Sequence, residues 1–237
     1  MKVRMYNVGF GDCFCLRDRK KSLLVDFGTN NSRIEGHPRR EIFDVIISDL
    51  STIKSKNLLL THFHMDHLSG LLYMMKKKDI SVDFGKIYLP DVFSKKEMSR
   101  TLVLLLLADL LKESGLPSRQ VSLFALVDAL LENKQNVELL SRGKLFENKY
   151  QALWPDTDVI RKETDEVYNR ICEDGKFKEV MDVLLEFAEK LRLIVWSMTA
   201  EGNKPAETVE KETDLTASEL TEQPEVRQKI IRAYVYE

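Results

Sequence analysis

A short apolar segment runs directly into a cluster of histidines, and this junction constrains the fold more than any other feature. Asn57–Thr61 has the composition of a buried strand, and the next six residues, 62–67, hold three of the chain's four histidines. Residues two apart on extended backbone point to the same side. His62 and His64 are therefore predicted to bind one metal ion together.

The turn after His64 presents Asp66 and His67, which are predicted to bind a second ion. Neutral imidazole and carboxylate suit zinc, as one or two ions, with manganese or iron as alternatives. In a dinuclear site of this kind a shared water becomes nucleophilic near neutral pH, which predicts hydrolysis without a covalent enzyme intermediate. Asp66 is the candidate catalytic residue because it can help orient that water. A surface cluster of polar residues is the alternative, but it does not explain the buried strand before the cluster.

The first part of the chain predicts a sheet covered by helices. Three short apolar or alternating segments predict an antiparallel meander: Val3–Val8, Asp12–Leu16 and Ser22–Phe27. Apolar residues at helical spacing predict a helix over Arg39–Ile53, and a second helix is predicted over His67–Lys77. Lys86–Pro90 predicts one more strand.

After residue 92 the chain becomes strongly helical. Helices are predicted over Lys95–Ser114, Ser118–Asn133, Val159–Glu173 and Lys176–Ser197, and strands over Val137–Leu140 and Tyr150–Trp154. Residues 201–222 lack apolar periodicity and hold seven acidic against two basic residues, which is typical of a solvated linker. The predicted organisation is a metal-loop half over 1–92, a helical insertion over 93–200, an acidic linker over 201–222 and a C-terminal tail segment over 223–237.

Composition narrows the class of protein. The 237 residues are 43% hydrophobic and carry a net charge of −2, so the default is a globular protein whose contacts with nucleic acid are local. Three cysteines without framework spacing favour a reducing, cytoplasmic location. The N-terminus lacks the pattern of a signal peptide. Leu102–Leu111 is about half as long as a membrane-spanning helix, so no membrane partner is predicted.

The His-x-His-x-Asp-His run resembles the signature of the metallo-β-lactamase superfamily of hydrolases. The resemblance implies an α/β fold, a four-layer αββα sandwich with metals at one edge of two facing sheets. The segments Asn7–Asp12 and Leu23–Gly28 are similar to openings in the branch that includes competence-protein nuclease-like domains. In the family, the aspartate that Asp26 matches supports the histidine loop through a hydrogen bond and does not bind metal.

The sequence departs from this family after the loop. A complete dinuclear member needs later histidines and a bridging aspartate, but no histidine follows His67. Gln151–Pro155 is similar to a Leu-Trp-Pro strand end that precedes the aspartate-containing strand in the competence-like branch, so the preceding helices read as an insertion. The sandwich is therefore predicted to be incomplete, and its open sheet needs a cover from the helices or another chain.

Three functions are consistent with these residues. The leading hypothesis is a metal-dependent hydrolase that acts on a small-molecule or phosphodiester substrate, with phosphodiesters favoured by the branch resemblance. The second is a truncated or degenerate member that works as a binding or assembly module. The third is a half-site that a partner chain or a homo-oligomer completes.

Other polar residues have simpler interpretations. His37 lies in a polar loop and is predicted to be exposed. Cys13 and Cys15 are predicted to be core residues rather than a thiol metal pair. Asp156 and Asp158 follow a strand end and are predicted to cap a loop rather than to replace a lost ligand.

Overall fold

The computed structural model describes residues 1–18, 21–77, 83–113 and 123–200. Its backbone divides into two compact units. One comprises Met1–Leu89 with Ala129–Glu138, and the other comprises Pro90–Asp128 with Leu139–Glu237, described as far as residue 200. The predicted linker and tail, 201–222 and 223–237, lie outside the described residues. The predicted domain boundary between residues 92 and 93 stays a prediction.

Strands are short throughout the described chain. In chain order they are β1 (Lys2–Met5), β2 (Phe14–Asp18), β3 (Lys21–Val25), β4 (Arg33–Ile34), β5 (His37–Pro38), β6 (Ser55–Leu59), β7 (Ile87–Pro90), β8 (Val137–Leu140), β9 (Leu145–Phe146) and β10 (Tyr150–Gln151). Six of them form one mixed sheet in the order β1-β2-β3-β6-β7-β8. The pairs β1–β2 and β2–β3 are antiparallel, which confirms the predicted meander, whereas β3–β6 and β6–β7 are parallel.

Six α-helices occur among the described residues: α1 (Arg39–Ser51), α2 (Met65–Met75), α3 (Ser99–Glu113), α4 (Leu123–Glu132), α5 (Thr157–Glu173) and α6 (Gly175–Ser197). Along the chain, α1 connects the parallel strands β3 and β6, and α2 connects β6 and β7. Parallel neighbouring strands need such crossover connections. The α/β class is therefore confirmed. No helix in the described ranges is long and apolar enough to cross a membrane.

Several predicted elements differ in extent from the observed ones, as does the first strand, which covers Lys2–Met5 rather than Val3–Val8. Helix α2 begins at Met65, two residues before the predicted start, because His64 has extended backbone and occupies the N-cap position. The strand predicted over Tyr150–Trp154 covers only Tyr150 and Gln151, which pair with β9. The composition of that segment therefore overstated its strand length.

Helix α1 covers one face of the sheet. Pairing sets Arg4 beside Cys15 and Cys15 beside Leu24, so these side chains share one face, and α1 lies on this face because its Asp49 reaches Arg4. The buried residues of α1 recur at helical spacing: Phe43, Ile46, Ile47 and Leu50. Each such burial contributes roughly 1.5–3 kcal/mol. The full burial of Cys13 and Cys15 confirms them as core residues.

The second unit packs its helices around an apolar core. Helix α3 packs against α5 and α6, and its residues Leu102, Val103 and Leu106 are completely buried. This confirms that the apolar run belongs to a buried helix. Polar side chains inside the bundle are paired, as between Thr101 and Thr164, whose hydroxyl oxygens lie 2.9 Å apart. The two hydroxyl groups therefore satisfy each other inside the bundle.

One carboxylate ties α1 to the edge of the sheet. Asp49 accepts hydrogen bonds from Arg4 Nη1 at 2.8 Å, from Arg17 Nη2 at 2.9 Å and from the Tyr6 hydroxyl. Partial burial acts to raise the pKa of Asp49, but the hydrogen bond from Tyr6 and the two guanidinium groups outweigh it, so the pKa is lowered below 3.8. The ionised form is therefore the stabilising one.

We expect Asp49→Asn to reduce the free energy of unfolding by about 1–2 kcal/mol at pH 7, because charge-assisted hydrogen bonds are lost. A carboxyl whose pKa is lowered on folding contributes stability above its unfolded pKa, and that contribution disappears as pH falls through the folded pKa. The difference between the two proteins should therefore shrink below pH 3.8. Urea titrations at several pH values measure it, with the exposed Asp83→Asn as control. A difference that grows on acidification would contradict the assignment.

Candidate metal centre

The histidine loop lies at the carboxyl ends of the parallel strands β3 and β6, next to the first turn of α2. His62 and His64 follow β6, and Asp66 and His67 lie in the first turn of α2. A negative side chain there is favoured by the helix dipole, which accounts for Asp66 at this position. The motif is thus folded as a strand end, a bend and a helix start.

Three of the four predicted ligands come together. His62, Asp66 and His67 each offer a ligand atom, and these atoms lie within 4.8 Å of one another. The rings of His62 and His67 have centroids 3.7 Å apart. His64 lies outside this group, although its ring centroid is 4.7 Å from that of His62. The grouping differs from the predicted pairing of His62 with His64, because the backbone turn brings His67 towards His62.

Asp26 orients this group through hydrogen bonds to Thr61 and His67. It lies just after β3, is only 2% exposed, and accepts hydrogen bonds from Thr61 N at 2.8 Å, Thr61 Oγ1 at 2.7 Å and His67 Nδ1 at 2.9 Å. A carboxylate accepts hydrogen bonds, so His67 carries a proton on Nδ1, and in the neutral ring the lone pair lies on Nε2. That Nε2 lies 3.7 Å from Asp66 Oδ2. The supporting role predicted for Asp26 therefore agrees with its contacts.

The same carboxylate also sets the proton of His62. Thr61 donates its single hydroxyl proton to Asp26, and its Oγ1 lies 3.0 Å from His62 Nδ1. Because that hydroxyl has no second proton, it must accept from His62 Nδ1–H, which leaves the lone pair on His62 Nε2. Both imidazoles therefore offer Nε2 to a ligand.

Charges and burial act differently on the two histidines. Burial, followed by the neighbouring His67 and His64, lowers the pKa of His62. Burial also acts to lower the pKa of His67, but its hydrogen bond to Asp26 and the charges of Asp26, Asp66 and Asp12 raise it overall. An uncharged His62 is the form that binds a metal ion.

A second cluster, Asp12, Asp26 and His67, also has ligand atoms within 4.8 Å of one another. Here the ring nitrogen is Nδ1, which lies 2.9 Å from Asp26 Oδ2 and 3.7 Å from Asp12 Oδ2. Nδ1 carries the hydrogen that it donates to Asp26 in a hydrogen bond, so it has no lone pair for a metal ion. This cluster therefore supports His67 and is not a second metal site.

Asp12 was not predicted to have a role, yet its backbone holds the histidine loop in place. Its backbone N–H donates to the Asp66 carbonyl at 3.1 Å, and its own carbonyl accepts from Gly28 N at 3.3 Å. Thr29 and Ser69 add a reciprocal pair, in which Ser69 Oγ accepts from Thr29 N and donates to Thr29 O, both at 2.9 Å. Most of these contacts use backbone atoms, so the residue types at these positions do not predict them.

The remaining candidates lie apart from the centre. His37 is exposed, and its Nδ1 lies 3.2 Å from Glu41 Oε2. Asp156 is the N-cap of α5 and accepts from the backbone N–H groups of Asp158 and Val159, so it caps a helix rather than a loop. Neither is a ligand of the His62 group.

Comparison with known proteins agrees with the geometry. Residues 6–91 match the family model described as the metallo-beta-lactamase superfamily. Residues 6–91 are a metallo-beta-lactamase superfamily segment. The mixed sheet with its covering helices is consistent with part of that fold.

One curated relative is Endoribonuclease YSH1 of Mycosarcoma maydis, which is 32% identical over 77 residues. The match covers 32% of this chain and 8% of that protein, so the chain spans less than a tenth of the relative's length. No solved structure matches the chain.

The backbone of α2 approaches Gly28 so closely that there is no room for a side chain at this position. A Cβ on Gly28 would lie 2.6 Å from the backbone nitrogen of Leu68 and 2.7 Å from the carbonyl carbon of Asp66. Those atoms belong to the turn that carries the candidate ligands, and backbone cannot move aside cheaply. The loop after β3 and the start of α2 are therefore packed main chain against main chain.

We expect Gly28→Ala to lower the free energy of unfolding by about 1–3 kcal/mol, because the added methyl overpacks this contact. Gly175→Ala is the matched control, since a Cβ there meets nothing within 4 Å. Urea denaturation of both variants measures the effect. Equal stability of the two variants would show that the approach of Gly28 to α2 is not as close as described.

Proposed function

We propose that the chain is a metal-dependent hydrolase whose zinc site is formed by His62, Asp66 and His67. The observation that supports this most strongly is the convergence of three ligand atoms within 4.8 Å around two imidazoles whose Nε2 lone pairs are both available. Three protein ligands with one open position are the pattern of catalytic zinc sites. The residues present therefore suit a single catalytic ion.

A bound zinc ion would supply a Lewis acid and a nucleophile near neutral pH. The chain's own residues have separate tasks. His62 and His67 would hold the ion through Nε2, while Asp26 keeps the ring of His67 oriented through Nδ1. Asp66 is 29% exposed at its side chain, so it can both reach the ion and accept a hydrogen bond from an attacking water. His64, at the N-cap of α2, is left to contact substrate or a further ion.

The substrate class we favour is a phosphodiester. The relative that matches 77 residues of this chain is named as an endoribonuclease, and the matched family segment contains the whole candidate centre. RNA is accordingly the first natural polymer to test. The chain's net charge of −2 means that any RNA contact is local to the site.

A second candidate function is a half-site that another polypeptide completes. Besides the three histidines of the loop, the 237 residues contain one other histidine, His37, which is exposed beside Glu41. A dinuclear centre with more imidazole ligands therefore needs histidines from outside these residues. In that case the chain binds one ion weakly by itself and turns over no substrate alone.

We expect the purified chain to bind about one zinc ion. His62→Ala and His67→Ala should abolish tight binding because each removes a nitrogen ligand. Asp26→Asn should weaken it by about 10–100-fold, because the acceptor that orients His67 is replaced. Competition with a chromophoric chelator gives the affinities, and elemental analysis gives the stoichiometry. His37→Ala is the control and should bind zinc like the parent, whereas unchanged affinity in His62→Ala would refute the site.

We expect the zinc-loaded chain to hydrolyse bis(p-nitrophenyl) phosphate or single-stranded RNA, with kcat reduced about 10²–10⁴-fold in Asp66→Asn because the group that positions water is neutralised. Release of nitrophenolate and gel analysis of the RNA measure the two reactions. Zinc binding without turnover of either substrate would refute the stand-alone hydrolase and favour the half-site. Absence of zinc binding would refute both.

A further inference from the structure

The edge strand β1 has an unusual surface. All four residues of β1 are exposed, and within the described residues it is the last strand on its side of the sheet. Val3 is 60% exposed and Met5 70% exposed. An open edge offers unpaired backbone N–H and C=O groups, and it is a template on which another strand can add.

The register shows that charge and apolar character are segregated by face. Val3 pairs with Leu16 and Met5 with Phe14, so these four side chains share one face, and Leu16 and Phe14 are themselves only partly buried. The apolar surface of this face therefore continues from the edge strand onto β2.

The opposite face of the same edge is basic. Lys2 pairs with Arg17 and Arg4 pairs with Cys15, so Lys2, Arg4 and Arg17 lie on the face that α1 covers. Asp49 pairs with both Arg4 and Arg17. Three cations against one anion leave a local charge of +2. A strand added here meets an apolar row on one side and a cationic row on the other.

A second copy of the chain does not suit this edge. When Val3 of one β1 pairs antiparallel with Val3 or Met5 of another, Arg4 faces Lys2 or Arg4 of the other copy. Like charges directly opposite one another are destabilising, and cations on edge strands oppose self-association for this reason. The partner must therefore bring acidic residues where β1 has basic ones.

We propose that β1 is a docking edge for an extended segment of another polypeptide in which acidic and apolar residues alternate. The segment adds to the sheet as a seventh strand beside the six of the sheet. Its acidic side chains oppose Lys2 and Arg4, and its apolar side chains extend the surface of Val3 and Met5. This proposal is independent of the zinc site, because no residue of β1 belongs to the candidate centre.

The probe is a fluorescent peptide of alternating Glu and Val, titrated by anisotropy against the full chain. Peptides of alternating Lys and Val and of alternating Glu and Ser are its comparisons. We expect the Glu-Val peptide to bind at least about fivefold more tightly than either, because only it matches both faces. Hydrogen exchange should show new protection of the amides of residues 2–5.

Variants of the chain test the position of the peptide. Lys2→Glu should weaken binding about five- to tenfold, because an attraction becomes a repulsion, whereas the exposed Lys54→Glu, with the same change in net charge, should not. Met5→Gln should weaken binding without altering zinc content. Equal effects of Lys2→Glu and Lys54→Glu, no binding of the Glu-Val peptide, or sedimentation as a dimer that Met5→Gln dissociates would each overturn the proposal.

Discussion

The buried carboxylate of Asp26 is the interaction on which the first unit depends. It joins the end of β3 to the end of β6 through Thr61 and to α2 through His67. Burying an ionised group costs several kcal/mol unless its oxygens are satisfied, and these three donors supply that satisfaction. Its backbone φ of +54° is in the left-handed region, which aspartate tolerates better than most residues. The contact between the strand ends, the conformation of the histidine loop and the orientation of the His67 ring therefore all depend on Asp26.

The main chain around this carboxylate is as constrained as the side chains. Phe27 N donates to the His67 carbonyl at 2.7 Å, and the Phe27 carbonyl accepts from Gly70 at 2.8 Å and from Leu71 at 3.1 Å. A Cβ on Gly70 would lie 2.6 Å from the Phe27 ring. The loop after β3 is thus bonded directly to the first turns of α2. Such bonding holds the ligand-bearing turn rigid relative to the sheet, which a preorganised site requires.

Local patterns in the sequence predicted the order of elements around the histidine loop, since helical spacing and short apolar runs are properties of neighbouring residues. They did not predict which ligands meet. His62 and His64 are close in sequence, but the turn at Met65 brings His67 beside His62, and that turn is fixed by contacts from Asp12 and Gly28. Asp12 and Gly28 lie 53 and 37 positions before Met65, and their contacts use backbone atoms that any residue has. Non-local main-chain contacts are therefore what the sequence concealed.

The proton positions in the centre follow from an acceptor far from the motif. Asp26 Oδ2 accepts hydrogen bonds from the Thr61 hydroxyl and from His67 Nδ1, Oδ1 accepts from Thr61 N, and the Thr61 hydroxyl accepts from His62. A carboxamide at the same position has one oxygen and one amino group, so it cannot accept at both of its ends. Either the backbone N–H of Thr61 at Oδ1, or the Thr61 hydroxyl and His67 Nδ1 together at Oδ2, would then lose the acceptor. The His-x-His-x-Asp-His run provides the ligand types, but a residue 36 positions before its first histidine decides which nitrogen each ring presents.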